Sequence, residues 1–347
     1  MGKLRLLLAI QVLLLSSILW AYPALQGSIG LLERPSPDGH PDFVAAIASA
    51  RSSIEMTMYH LTDEGVVQAL AQAASRQVST RVILDVKTQK NAKSASMIEV
   101  LKNAGAQVEL SSSAFSLTHM KAMVIDQQVA YVTSINLTKI TDVTRDLGVV
   151  TTDPGVIQEM QSVFEADWIN AQKNTADTPA LQNPNLIWSP VNSESRLLDL
   201  INSAQRSIIT TVENFDRDSI LMALSQATAR GVSVRMIVPE CDANPNPFLN
   251  FDASRRLDQA GGQVRMMPSP ASPLMPYMHL KMIEVDDQTV YIGSVNFSSN
   301  SLLASRELGI IFPDLTTASR VKTIFESDWA SAVEVPATNP STCPQPF

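Results

Sequence analysis

Four residue types recur at one spacing in this 347-residue chain: His119, Lys121, Asp126 and Asn136, then His279, Lys281, Asp286 and Asn296. His and Lys two positions apart share one face of a strand. The Asp ends that strand at a hairpin, with Gln127 and Gln128, or Asp287 and Gln288, in the turn. The returning strand brings Ser134 and Asn136, or Ser294 and Asn296, back towards the His–Lys end, so each copy builds one polar cluster. Asp126 and Asp286 are read as braces of the hairpin, and Ser134 and Ser294 as substrate-binding hydroxyls.

Such a set suits displacement at an anionic phosphorus. The reaction needs a nucleophile, a proton donor for the leaving oxygen and fixed positive charge on the phosphoryl oxygens. Two imidazoles supply the first two, one neutral and one protonated, because His titrates near neutral pH. Lys121, Lys281, Asn136 and Asn296 hold the non-bridging oxygens, a task a divalent metal performs elsewhere, so neither metal nor cofactor is expected. A nucleophilic His also needs a carboxylate on its other ring nitrogen. Glu307, 28 residues beyond His279, and Asp146, 27 beyond His119, fall on the next strand of each copy and are the candidates.

The positioning elements are duplicated as well. Residues 47–85 match residues 201–239 without gaps at an offset of 154, and Thr118–Asn136 match Met278–Asn296 at an offset of 160. RDLGVV from Arg145 matches RELGII from Arg306, and each copy closes on an amphipathic helix carrying FEADW or FESDW. Within a copy an apolar strand, a helix with apolar residues at Val66, Ala69, Leu70 and Ala73, and a second apolar strand form a βαβ unit of a sheet covered on both faces. The expectation is an α/β protein of two similar α/β/α lobes, residues 25–172 and 191–332. Mixed sheets are flanked by helices, and the site lies at a pseudo-twofold interface. A linker spans 173–190 and a Pro-rich tail 333–347.

The repeated pattern H-x-K-x4-D-x6-G-S-x-N resembles the signature of the phospholipase D superfamily, and the resemblance extends from about Ile29 to Trp329. The second copy fits at every position. The first has Thr133 where the family has glycine, which implies a tightened amino-terminal half-pocket. The resemblance implies a phosphohistidine intermediate, with His119 as nucleophile, His279 as acid, and water or a second alcohol as the final acceptor. Hydrolysis of glycerophospholipids is the favoured activity. The alternatives are a cardiolipin synthase-like phosphatidyltransferase, an exported nuclease, and a lipid-head-group binder without activity. Such synthases commonly carry membrane helices, and no segment after the amino-terminal one is long and apolar enough to span a bilayer.

Composition narrows the partner. With 26 basic and 34 acidic residues the net charge is −8, which argues against nucleic acid held by counterion release. Phospholipid and a membrane surface are the expected partners. The apolar, Pro-rich stretch SPASPLMPYM (269–278) suits acyl chains or a membrane surface, or else is a rigid connection packed on the body. Lys3 and Arg5 precede an apolar run from Leu6 to Trp20, the layout of a secretory signal or amino-terminal anchor over residues 1–24, so an exported body is expected. In an oxidising compartment Cys241 and Cys343 could pair and tie the tail to the body. His40 and His60 read as structural, and Tyr59, which aligns with Glu213, is given no role. Both half-sites lie in one chain, so a monomer suffices.

Overall fold

The computed structural model describes residues 22–89, 92–140, 142–242 and 248–344; the apolar run read as a signal or anchor lies outside them. The first half runs β1 (Ile29–Arg34), α1 (Pro41–Ser49), β2 (Ser53–Met58), α2 (Glu64–Ser75), β3 (Ser79–Leu84), α3 (Ala92–Asn103), β4 (Gln107–Leu110), β5 (Lys121–Ile125), β6 (Val129–Thr133), β7 (Thr144–Thr151) and α4 (Pro154–Lys173). The second half runs β8 (Leu186–Ser189), α5 (Ser193–Ser203), β9 (Ser207–Thr211), α6 (Asp218–Ala229), β10 (Ser233–Pro239), α7 (Phe251–Gln259), β11 (Gln263–Met267), β12 (Tyr277–Met278), β13 (Lys281–Val285), β14 (Thr289–Gly293), α8 (Ser299–Leu303), β15 (Glu307–Pro313), α9 (Leu315–Ser331) and β16 (Val333–Glu334).

Two mixed sheets result, ordered β1-β7-β6-β5-β2-β3-β4 and β16-β11-β10-β9-β13-β14-β15-β8. The βαβ units supply the parallel pairs β2/β3 and β9/β10, and the motif hairpins supply antiparallel β5/β6 and β13/β14. One outer core packs α1, α2 and α3 on the first sheet, and another packs α5, α6 and α7 on the second. A third core is shared: Met120, Val132, Met160 and Val163 of the first lobe pack with Trp188, Met282, Ile292, Val321 and Phe325 of the second. Neither lobe is therefore closed by itself.

Each hairpin turns through two residues at positive φ, Asp126 (53°) and Gln127 (56°), or Asp286 and Asp287 (both 59°). This is the turn whose twist matches a hairpin, and a carboxylate replaces the usual glycine in holding it. Asp126 accepts from the backbone N–H groups of Arg51, Ser52 and Ser53, and Asp286 from those of Gln205, Arg206 and Ser207. The motif aspartates thus tie each hairpin to the start of the neighbouring strand.

The stretch read as a linker ends in structure: Leu186–Ser189 is β8, fully buried and paired antiparallel with β15. Its apolar Leu-Ile-Trp run covers a sheet edge that would otherwise expose unpaired backbone. Beyond β16, Cys343 forms a disulfide with Cys241, with a Cα–Cα separation of 5.6 Å, and fixes the tail to the segment after β10. Among the described residues no helix is long and apolar enough to cross a membrane.

Candidate active site

The amino-terminal end of β7, the open ends of the motif hairpins and α8 surround one cavity of about 1110 Å³, lined from the first lobe by Tyr59, His60, His119, Asn136 and Asp146, and from the second by Glu213, Tyr277, His279, Asn296 and Glu307. The two imidazole rings face each other with centroids 6.4 Å apart. His119 and His279 lie two residues ahead of the equivalent strands β5 and β13, so the pseudo-twofold relation brings them together.

Spacing along the chain suggests that each imidazole takes a carboxylate from its own copy. The structure crosses them. His119 Nδ1 lies 2.9 Å from Glu307 Oε2, and His279 Nδ1 lies 2.7 Å from Asp146 Oδ1. A carboxylate can only accept, so each Nδ1 carries the proton and each Nε2 points at the cavity. The residue before each carboxylate also crosses. Arg306 pairs with Asp167 on α4 at 2.8 Å, and Arg145 pairs with Asp328 on α9 at 2.7 Å. Backbone follows the same exchange: β12 of the second lobe pairs with β7, and His119 N–H donates to the Arg306 carbonyl at 3.0 Å.

The lysines sit beneath the floor, Lys121 1% and Lys281 0% exposed, each donating to the carbonyl of the His two residues before it. Burial, reinforced by Lys281, pushes the Lys121 ammonium down to about 7. Burial and Lys121 likewise hold His119 below the usual imidazole value, against the opposing pull of Glu307. Asn136 Nδ2 stands 3.5 Å from His279 Nε2, at the gap between the rings. Asn296 is pinned, its Oδ1 accepting from Asn214 N–H at 3.1 Å and its Nδ2 donating to Glu213 at 3.3 Å.

Two expectations are corrected. Ser134 and Ser294 are fully buried and do not face the cavity. Ser134 Oγ instead donates to Asp146 at 2.6 Å and fixes that carboxylate, while Ser294 Oγ donates to the Leu308 carbonyl at 3.3 Å. Glu307 takes its hydroxyl from Ser301 on α8. Thr133 does not misshape the pocket, because it pairs with Gly148 across β6 and β7, and a Cβ there would meet Thr133 Cγ2 at 2.5 Å. In the second lobe both partners are glycine, Gly293 and Gly309, and the Tyr291 ring fills the space.

The residue that sequence reasoning passed over is Glu213. It lies 2.8 Å from Lys281 Nζ, accepts from Tyr277 Oη at 2.9 Å and reaches within 3.7 Å of His279 Nε2. Burial alone would raise its carboxyl, but Lys281, with His279 and His119, outweighs that and holds it well below the usual range. A lone Glu in the apolar run of β9 and its continuation was the available signal. His60 also reaches the cavity wall, against Tyr59 at 4.3 Å, and burial pushes it down to about 4, so it is neutral. His40 is buried between Arg34 and the Thr138 carbonyl, as a structural histidine. Among the described residues no group of three or more His, Cys, Asp or Glu is arranged to hold a metal ion.

The family model described as cardiolipin synthase, PLD-like domain, matches residues 43–168 and 197–329, one match on each half-site. The chain belongs to the phospholipase D superfamily. Cardiolipin synthase A of Wigglesworthia glossinidia brevipalpis is 26% identical over 316 residues, covering 79% of this chain and 63% of that protein. Cardiolipin synthase A of Pseudomonas putida (strain GB-1) is 26% identical over 333 residues, covering 84% and 67%. The chain thus spans about two thirds of the length of these superfamily relatives. Among solved structures, phosphatidylserine synthase of Haemophilus influenzae Rd KW20 superposes with a TM-score of 0.66 at 13% identity, covering 89% of this chain and 87% of that one. Polyphosphate kinase from Porphyromonas gingivalis gives 0.65 at 16% identity, covering 86% and 50%. These two show the same fold.

Proposed function

We propose that this chain is a phosphatidyltransferase of the cardiolipin-synthase type, moving a phosphatidyl group from one phospholipid to the primary alcohol of another. The observation that carries it is the facing pair of imidazoles, each oriented by the other lobe's carboxylate over two buried lysines. One Nε2 attacks phosphorus while the other imidazole protonates the departing alcohol. The second then takes the proton of the incoming alcohol, whose oxygen displaces the histidine. Asn136, Asn296 and the lysine charges stabilise the phosphoryl oxygens in each step. Hydrolysis differs only in its acceptor; the cardiolipin synthase relatives support transfer ahead of the hydrolysis favoured by the sequence alone. A cavity of about 1110 Å³ has room for donor and acceptor head groups together.

A membrane surface is the natural source of such substrates. The turn closed by Ser272 and Met275 presents Leu274, 85% exposed, three residues before cavity-lining Tyr277. The Cys241–Cys343 disulfide supports an oxidising compartment for the body. The test is the full chain with phosphatidylglycerol vesicles, following cardiolipin, free glycerol and phosphatidic acid, beside His279→Ala. Cardiolipin with equimolar glycerol, absent in the variant, is expected. Phosphatidic acid alone would replace transfer by hydrolysis, and an untouched lipid pool would overturn both.

A further inference from the structure

We propose that Glu213 makes the two half-sites unequal: by flanking the cavity-side nitrogen of His279 it keeps that ring the proton donor and leaves His119 the nucleophile. This rests on the phosphohistidine chemistry above and adds a residue to it.

The Nδ1 side cannot tell the rings apart, because both have a carboxylate there. The cavity side can. His279 Nε2 has Glu213 Oε2 at 3.7 Å, so its ring stands between two carboxylates, Asp146 and Glu213. Both carboxylates set negative charge beside this ring, Asp146 accepting from Nδ1–H at 2.7 Å and Glu213 standing 3.7 Å from Nε2, and that charge favours a proton on the cavity-side nitrogen. At the equivalent position of the first lobe stands Tyr59, its ring edge-on to His119 at 4.7 Å and 4.9 Å from the Lys121 ammonium. Among the described residues the only ion-pair partner of the His119 ring is Glu307. His119 therefore keeps one proton and an open lone pair on Nε2.

Glu213 cannot leave its post. Tyr277 holds one oxygen, and Lys281 and Asn296 hold the other, in a site where the residue is 8% exposed. It acts through His279 and takes no part in bond exchange at phosphorus, so it is a positioning residue. The titratable groups around His279 are Asp146, Glu213, Lys281, Tyr277, His119 and His60; those around His119 are Glu307, Lys121, Lys281, Tyr59, His60, His279 and, more distantly, Glu213. In the first step the His119 Nε2 lone pair forms the P–N bond, the P–O bond to the leaving alcohol breaks, and the His279 Nε2 proton goes to that oxygen. In the second, His279 recovers a proton from the acceptor alcohol, the new P–O bond forms, and the electron pair of the P–N bond returns to His119.

The test compares leaving groups. Glu213→Gln keeps the shape and removes the charge. With phosphatidylglycerol, whose leaving alcohol needs a proton, it is expected to lower kcat by about 10- to 100-fold and move the alkaline limb of the pH–rate profile to lower pH. With phosphatidyl-p-nitrophenol, whose leaving group departs unprotonated, the loss is expected to stay under about threefold. Equal slowing of both substrates would reduce Glu213 to a structural role and overturn the proposal. A second measurement is independent of how that variant folds. His279→Ala should release one equivalent of p-nitrophenol in a burst and leave a phosphatidyl group on His119, whereas His119→Ala should give none. A burst in His119→Ala instead would reverse the roles. Turnover by the unaltered chain without any phosphohistidine would overturn the covalent reading itself, a result distinguishable from either.

Discussion

The two lobes hold the same His, Lys, Asn and carboxylate, yet line them with different neighbours. Beside its lysine the first lobe has the aromatic Tyr59, and the second has Glu213 paired with Lys281 at 2.8 Å. Behind its hairpin the first fills the sheet with Thr133 over Gly148, and the second with Tyr291 over Gly293 and Gly309. Ahead of its motif the first buries Phe115 against Arg306, and the second exposes Leu274. The shared carboxylates reach into the other lobe, the shared asparagines line the cavity and the shared lysines are buried beneath it. Of the residues that differ, Tyr59 stands 4.7 Å from the His119 ring and Glu213 3.7 Å from His279 Nε2.

The sharpest way to break this comparison is through the crossed carboxylates. Glu307→Gln and Asp146→Asn should each lower kcat by about 10²- to 10⁴-fold without loss of fold. Rapid mixing with phosphatidyl-p-nitrophenol should show the Glu307 variant slow in forming phosphohistidine, and the Asp146 variant slow only with a protonated leaving group. Next come the crossed arginines. Arg306→Met strands Asp167 in the shared core and should cost about 3–5 kcal/mol in denaturant unfolding. Arg145→Met should cost less, since Arg145 is 15% exposed where Arg306 is fully buried.

Lys121 gives a pH test. A lysine whose folded value is about 7 gives up its proton far earlier than in the unfolded chain, where the value is about 10.4. Folding without substrate therefore gains stability as pH rises through that window and loses it as pH falls through about 7. The unfolding midpoint should rise between pH 6.5 and 9, and Lys121→Met should flatten the rise. Transfer activity should run the opposite way, declining above about pH 7 as the charge under the phosphate is lost. Smaller effects follow at the lobe-specific surfaces. Leu274→Ser should weaken vesicle binding several-fold while leaving turnover of a short-chain, micelle-free substrate unchanged. Thr133→Gly, which empties a space that Tyr131 does not fill, should cost about 1–2 kcal/mol of stability and change kcat by less than about twofold.

The lobes, the hairpins and the motif residues were legible because they repeat at fixed spacing, and spacing along a strand dictates direction. The crossed partners were not, because a spacing of 27 or 28 residues places Asp146 and Glu307 on the right strand without saying which lobe's ring they meet. Arg145, Arg306, Asp167 and Asp328 stood in plain view inside duplicated blocks, but an amphipathic helix explains FEADW and FESDW well enough to hide a buried ion pair. Ser134 and Ser294 were misread because motif membership suggests contact with substrate, while the returning strand turns them inward onto a carboxylate and a backbone carbonyl. Glu213 escaped because symmetry was the guide, and Tyr59 at the matching position broke it.

The exchange of carboxylates, arginines and backbone between lobes bears on the birth of the protein as well as its chemistry. When the first lobe leaves the ribosome, His119 has no Glu307 to orient it, Asp167 has no arginine, and the apolar face of its sheet waits for Trp188, Met282 and Phe325. The two half-sites are complete only once β15 brings Arg306 and Glu307 against the first lobe.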